Sequence, residues 1–114
     1  MNERFSEAFA GLRATMLAAA PDRMVTIDVP GSLELRTSTL DPKTKQLGWF
    51  GTVTTKKAYV AVHLIPLYTN PELGESMSPR LAKRRQGKTC FNFTVVDEVL
   101  FEELASLIEA CARE

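Results

Sequence analysis

Residues 58–65 read Ala-Tyr-Val-Ala-Val-His-Leu-Ile, with Val60, Val62 and Leu64 alternating against Tyr59, Ala61 and His63. A period of two in β-branched and aromatic residues fits a half-buried strand and no helix. Just upstream, residues 47–54 form another extended run. The link Thr55-Lys56-Lys57 is too short for a crossover, so the two runs pair antiparallel. Residues 33–37 alternate through Leu33 and Leu35, and the polar stretch from Asp41-Pro42 to Gln46 supplies a hairpin loop. Met24–Val29 alternates too, with Val25, Ile27 and Val29 on one face and Met24, Thr26 and Asp28 on the other, before a Pro30-Gly31 turn. This pattern predicts a half-buried strand whose Val25 and Ile27 join a core face with Val60, Val62, Leu64, Phe91 and Phe93.

Downstream the chain changes character. Residues 66–79 hold three prolines and a glycine and read as a crossover loop with room for one helical turn. Ser78 caps a short helix with Pro79 at its first position and Gly87 as its stop, which makes residues 80–86 helical. Residues 89–94 then form a fifth strand, Phe91 and Phe93 on one face and Cys90 and Asn92 on the other.

Both ends are helical. Phe5, Phe9, Leu12 and Met16, with Ala8 and Ala19, make one stripe of a first helix closed by Ala20-Pro21. Its other side carries the small residues Ala10, Gly11, Ala14 and Ala18. Asp97 caps a last helix whose buried stripe is Leu100, Leu104, Leu107, Ile108 and Cys111. Helices at both ends of an antiparallel meander of about five strands give an α+β two-layer sandwich, a single domain over residues 1–114.

Composition narrows the function classes. Fourteen basic and fourteen acidic side chains cancel, so no global field favours nucleic acid or an anionic membrane, and charge recognition must be local. The longest apolar stretches fall short of the roughly 20 residues of a membrane span, and Glu3 and Glu7 break a secretory pattern, so the expectation is a cytoplasmic protein. Cys90 and Cys111 belong to no dense cysteine framework and read as reduced thiols.

Local charge sits in Arg80, Lys83, Arg84, Arg85 and Lys88. Arginine offers a planar donor fork and lysine a mobile point charge, both suited to phosphate or carboxylate. The plainer alternative is a solvated basic helix that neutralises the acidic last helix. Alternation sends Thr26, Asp28, Tyr59, His63, Cys90 and Asn92 to the sheet face opposite the core, a surface able to hold a ligand or simply to meet water. His63 is the only histidine, and with Cys90 it makes a thiol and imidazole combination for which no third, orienting residue is apparent. Glu98, Glu102 and Glu109 line one side of the last helix, where hard cations or plain solvent both fit. Trp49 and Phe50 must point to opposite faces; a core tryptophan is the commoner outcome, and the residues alone do not choose.

The segments 58–68, Ser78-Pro79 with Leu81, 86–93, and Leu100-Phe101 with Leu104 together resemble the YdhG-like proteins, a family of small bacterial α/β domains of unknown function. The likeness covers the C-terminal half; in the first half only the order of helix and strands agrees. It implies a frataxin-like arrangement, with helices on one face of an antiparallel sheet. Some members are described as intracellular iron chaperones. Where frataxin-type iron binding looks to need a dense acidic ridge near the first helix, this chain has only Glu3 and Glu7.

The expectation is therefore a non-enzymatic cytoplasmic protein that binds a small anionic or phosphorylated ligand. Lys83, Arg84 and Lys88 supply charge; Tyr59, His63, Cys90 and Asn92 supply directional contacts. No cofactor is expected. The alternatives are iron binding, a thiol enzyme using Cys90 and His63, and a structural module or homodimer formed through the small-residue side of the first helix or a sheet edge.

Overall fold

The computed structural model describes residues 3–40, 42–75, 77–87 and 89–113. Helix α1 (Glu3–Ala19) leads into strands β1 (Met24–Val29), β2 (Ser32–Leu40), β3 (Leu47–Thr55) and β4 (Val60–Leu64). A crossover holds the one-turn helix α2 (Pro66–Thr69), a 3-10 turn (Pro71–Gly74) and the one-turn helix α3 (Pro79–Ala82). Strands β5 (Arg85–Gln86) and β6 (Cys90–Phe93) precede helix α4 (Glu98–Ala112). The six strands form one antiparallel sheet in the order β1-β2-β3-β4-β6-β5.

One face of this sheet is apolar and covered. Leu33, Leu35, Val53, Val60, Val62, Leu64, Phe91 and Phe93 meet Leu12 and Met16 of α1 and Leu100, Leu104 and Ile108 of α4, all at most 2% exposed. Burying each large apolar side chain contributes about 1.5–3 kcal/mol. Phe93 and Phe101 meet edge to face, ring centres 5.2 Å apart. The two long helices run in the same direction. Gly11 lies so close to the start of α4 that a Cβ there would stand 3.0 Å from the Phe101 ring. At the other end Arg23 Nη2 donates to the Ala112 carbonyl at 2.7 Å, near the buried Cys111. Part of the small-residue side of α1 thus packs within the chain; Ala10 and Ala14 are exposed.

Two irregularities overturn the simple alternation. In β1 the register shifts between Val25 and Ile27, so that Val25 stands opposite Leu35 but Ile27 opposite Glu34. One extra residue reverses the facing of everything beyond it. Asp28 therefore turns to the helix side, where Arg13 donates to both its oxygens at 2.8 and 2.6 Å, and Ile27 and Val29 turn to the uncovered face. The expected half-buried strand is exposed along all six residues, and Val25 and Ile27 are outside the core.

In β3 the shift leaves Phe50 between Gly51, opposite Leu35, and Trp49, opposite Arg36. Phe50 is accordingly buried to 1% exposure, and Trp49, which an unbroken alternation from Val53 through Gly51 would bury, is 47% exposed.

The helix expected over residues 80–86 is shorter. Ser78 caps it, its Oγ accepting from the Leu81 amide at 3.2 Å, but α3 ends at Ala82. Arg85 and Gln86 instead pair with Phe91 and Cys90 as a sixth strand. The chain reverses at Gly87, whose φ of +76° suits a residue without a Cβ.

Candidate functional site

The residues singled out for binding divide between two places. On the uncovered face, the register aligns Glu34, Thr52, His63, Cys90 and Gln86 in one transverse row across β2, β3, β4, β6 and β5. His63 and Cys90, on strands separated by the 25 residues of the crossover and β5, are direct cross-strand partners. Both are half-buried. The His63 ring stands edge-on to Tyr68 of α2, centres 6.2 Å apart. Its Nε2 is out of solvent and has no hydrogen-bond partner among the described residues. Burial holds the imidazole below its usual pKa, since desolvation penalises the charged form.

A neutral imidazole beside a thiol is the beginning of a nucleophilic pair, but among the described residues nothing orients the ring through Nε2. Asn92 is next on this face, opposite Ala61. Tyr59 precedes β4, about 13 Å from His63 at the rise of an extended chain.

At the other end of the row a polar network ties β1 to β2 and β3. Thr26 donates to Glu34 Oε2 at 2.6 Å, and Arg36 Nε donates to the same oxygen at 2.9 Å. Arg36 also donates to the Leu47 carbonyl at 2.8 Å and stacks over Trp49, 3.8 Å from the ring centre. Burial alone pushes the Glu34 carboxyl up, but the Thr26 hydroxyl and the Arg36 guanidinium prevail and hold it below the usual range. This network was missed from the sequence. Its one trace there is a charged Glu34 between two core leucines.

The cations lie elsewhere. Arg80, Lys83 and Arg84 border a depression of about 300 Å³ with Leu100 at the start of α4. Glu103 of α4 and Asp97, the cap before it, fix this corner. Glu103 accepts from the Ser78 amide and hydroxyl, each at 2.6 Å, which pins the entry to α3. Asp97 caps α4 with one oxygen, 3.1 Å from the Leu100 amide, and takes Arg80 on the other at 3.0 Å. Lys83 and Arg84 are exposed and form no ion pair among the described residues. The Asn92 amide donates to the Arg84 carbonyl at 2.8 Å, a backbone link between the corner and β6. Lys88 lies outside the described residues.

The Glu98, Glu102 and Glu109 series borders a third feature, a groove of about 390 Å³ between α1 and α4 floored by Gly11, Phe101 and Ala105. Spread over some three helical turns, these carboxylates do not close on one point. Among the described residues no group of three His, Cys, Asp or Glu converges as a metal site. Asp28, the one carboxylate expected on the sheet face opposite the core, is engaged by Arg13. No described helix is long and apolar enough to cross a membrane. No family model matches the chain, and neither a curated protein nor a solved structure matches it.

Proposed function

We propose that the protein is a non-enzymatic binding protein for an anionic ligand bearing phosphate or carboxylate, taken at the corner of Arg80, Lys83 and Arg84. One observation carries this: three cations share a depression with an apolar wall, Leu100, and only Arg80 is neutralised, by Asp97. Charge-assisted donors on a fixed frame suit an oxyanion, and the apolar wall suits the body that carries it. His63, Cys90, Tyr59 and Asn92 are then a neighbouring surface and not part of the same pocket. The order of helix, meander and helix supports a frataxin-like, YdhG-like arrangement, and two cysteines without a bridge support a cytoplasmic setting.

Titration with pyrophosphate, followed by amide NMR, tests the proposal. Saturable shifts at Lys83, Arg84 and Leu100 are expected, abolished in a Lys83→Glu, Arg84→Glu double variant. Unmoved signals at millimolar pyrophosphate overturn it.

A further inference from the structure

Strand β1 ends the sheet with no partner on its outer side among the described residues. Met24, Val25, Ile27 and Val29 are 47, 49, 41 and 53% exposed, so most of its side chains are large, apolar and in water. Sheet edges are ordinarily blunted by lysine, proline, inward charge or short length, because a bare edge is a template for another strand. This one has a bulge at Thr26 and one inward charge, Asp28, which Arg13 neutralises, but it has no lysine and its proline, Pro30, comes only after the strand. The opposite edge, β5, is two residues long and flanked by Lys83 and Arg84.

We infer that β1 is a self-association edge, pairing antiparallel with β1 of a second copy about a two-fold axis. Three features favour a second copy over a foreign strand. The single charge on β1, Asp28, is already matched by Arg13 of the same chain, so two β1 edges meet without like-charge repulsion. The whole chain has fourteen charges of each sign, and no long-range field opposes the approach of another copy or draws in a charged peptide.

The third feature is closure. With only one long edge, β1 cannot join head to tail with β5 of the next molecule over any length; the isologous pair closes at two. The bulge assists, because it places Val25 on the helix side and Ile27 and Val29 on the uncovered side, so both flanks of the seam carry apolar side chains. An edge about 20 Å long is at the small end for a specific interface, which sets the expected affinity in the micromolar range.

Sedimentation equilibrium from about 5 to 500 μM, spanning that micromolar range, reads the outcome. The wild-type chain is expected to pass from monomer to dimer across it, with amide exchange at Met24–Val29 slowing as concentration rises. Val29→Lys and Ile27→Lys, both at exposed positions that folding does not need buried, are expected to weaken the dimer about tenfold or more, close to 1.4 kcal/mol. Val99→Lys, on the solvent side of α4 at 64% exposure, is the control and leaves it unchanged. A wild-type chain monomeric at 500 μM, as it would be if a foreign strand were the true occupant, overturns the inference. So does a dimer that both β1 variants leave intact.

Discussion

Strand β1 runs six residues along one edge of the sheet with every residue exposed, and β5 runs two residues along the other between a cationic turn and Gly87. β5 borders the core directly: its neighbour β6 buries Phe91 and Phe93, and Arg85 lies on the core side opposite Phe91. β1 too has a core-bearing neighbour, β2 with Leu33 and Leu35, yet its own side chains stay outside that core. It is held by hairpin hydrogen bonds to β2, by Thr26 on Glu34 and by Arg13 on Asp28. Strand existence and strand burial are therefore separable: an alternating apolar pattern marks β1 correctly as a strand, yet its apolar side chains are not what stabilises it.

The largest expected effect tests that separation. Phe91→Ala, at a position with no exposure, is expected to lower unfolding free energy by about 3–5 kcal/mol, while Ile27→Ala stays within about 1 kcal/mol of the parent. Urea midpoints measured at low protein concentration decide it. Equal losses would mean that β1 packs against something after all.

Next is the anchor of β1. Glu34→Gln keeps the shape but loses the charge-assisted bonds to Thr26 and Arg36, and is expected to cost about 2 kcal/mol at pH 7. Because the Glu34 carboxyl is held below its unfolded value, its contribution is present above about pH 4.5 and fades as pH falls through the folded value. The gap between parent and variant should therefore narrow in acid. A gap that is constant with pH breaks the assignment.

A smaller effect compares the two hairpins. Gly31 and Gly87 turn β1 into β2 and β5 into β6 with φ of +84° and +76°, and a Cβ at either has room. Alanine at each is expected to cost about 1–2 kcal/mol by backbone strain alone. A clearly larger loss at Gly87 would show that the short edge depends on its turn more than the long one does. The smallest change is expected from Arg13→Ala. The pair it breaks is exposed, so the thermal midpoint should shift little and shift less still in 0.5 M salt.

Much of the architecture was legible. Alternation located β2, β3 and β4, capping chemistry located the start of α4 at Asp97, and the helical stripe through Leu100, Leu104 and Ile108 is the buried one. The facing of residues beyond Thr26 and Phe50 was not, because a bulge inserts one residue into a period of two and leaves no compositional mark. β5 was hidden for a different reason. Arg85 and Gln86 are strand only by pairing with β6, and no local propensity announces two polar residues as a strand.

The candidate site shows the same limit. Types of residue were readable, so the cations from Arg80 to Arg84 and the polar side of β4 and β6 stood out. Their division into a corner against Leu100 and a row through His63 and Cys90 depends on strand order, which a chain of local patterns does not encode.

The bond from Arg23 to the Ala112 carbonyl joins residues 89 apart, and Cys111 is sealed beside it at 1% exposure, while Cys90 is half-open on the sheet. The two thiols thus differ in what must move before a reagent can reach them. Cys90 needs only local access, whereas Cys111 needs α4 to lift from the seam where the start and the end of the chain meet. Timed alkylation with mass detection would give two clocks in one molecule. The slower records how often the chain's ends come apart while the meander between them stays folded.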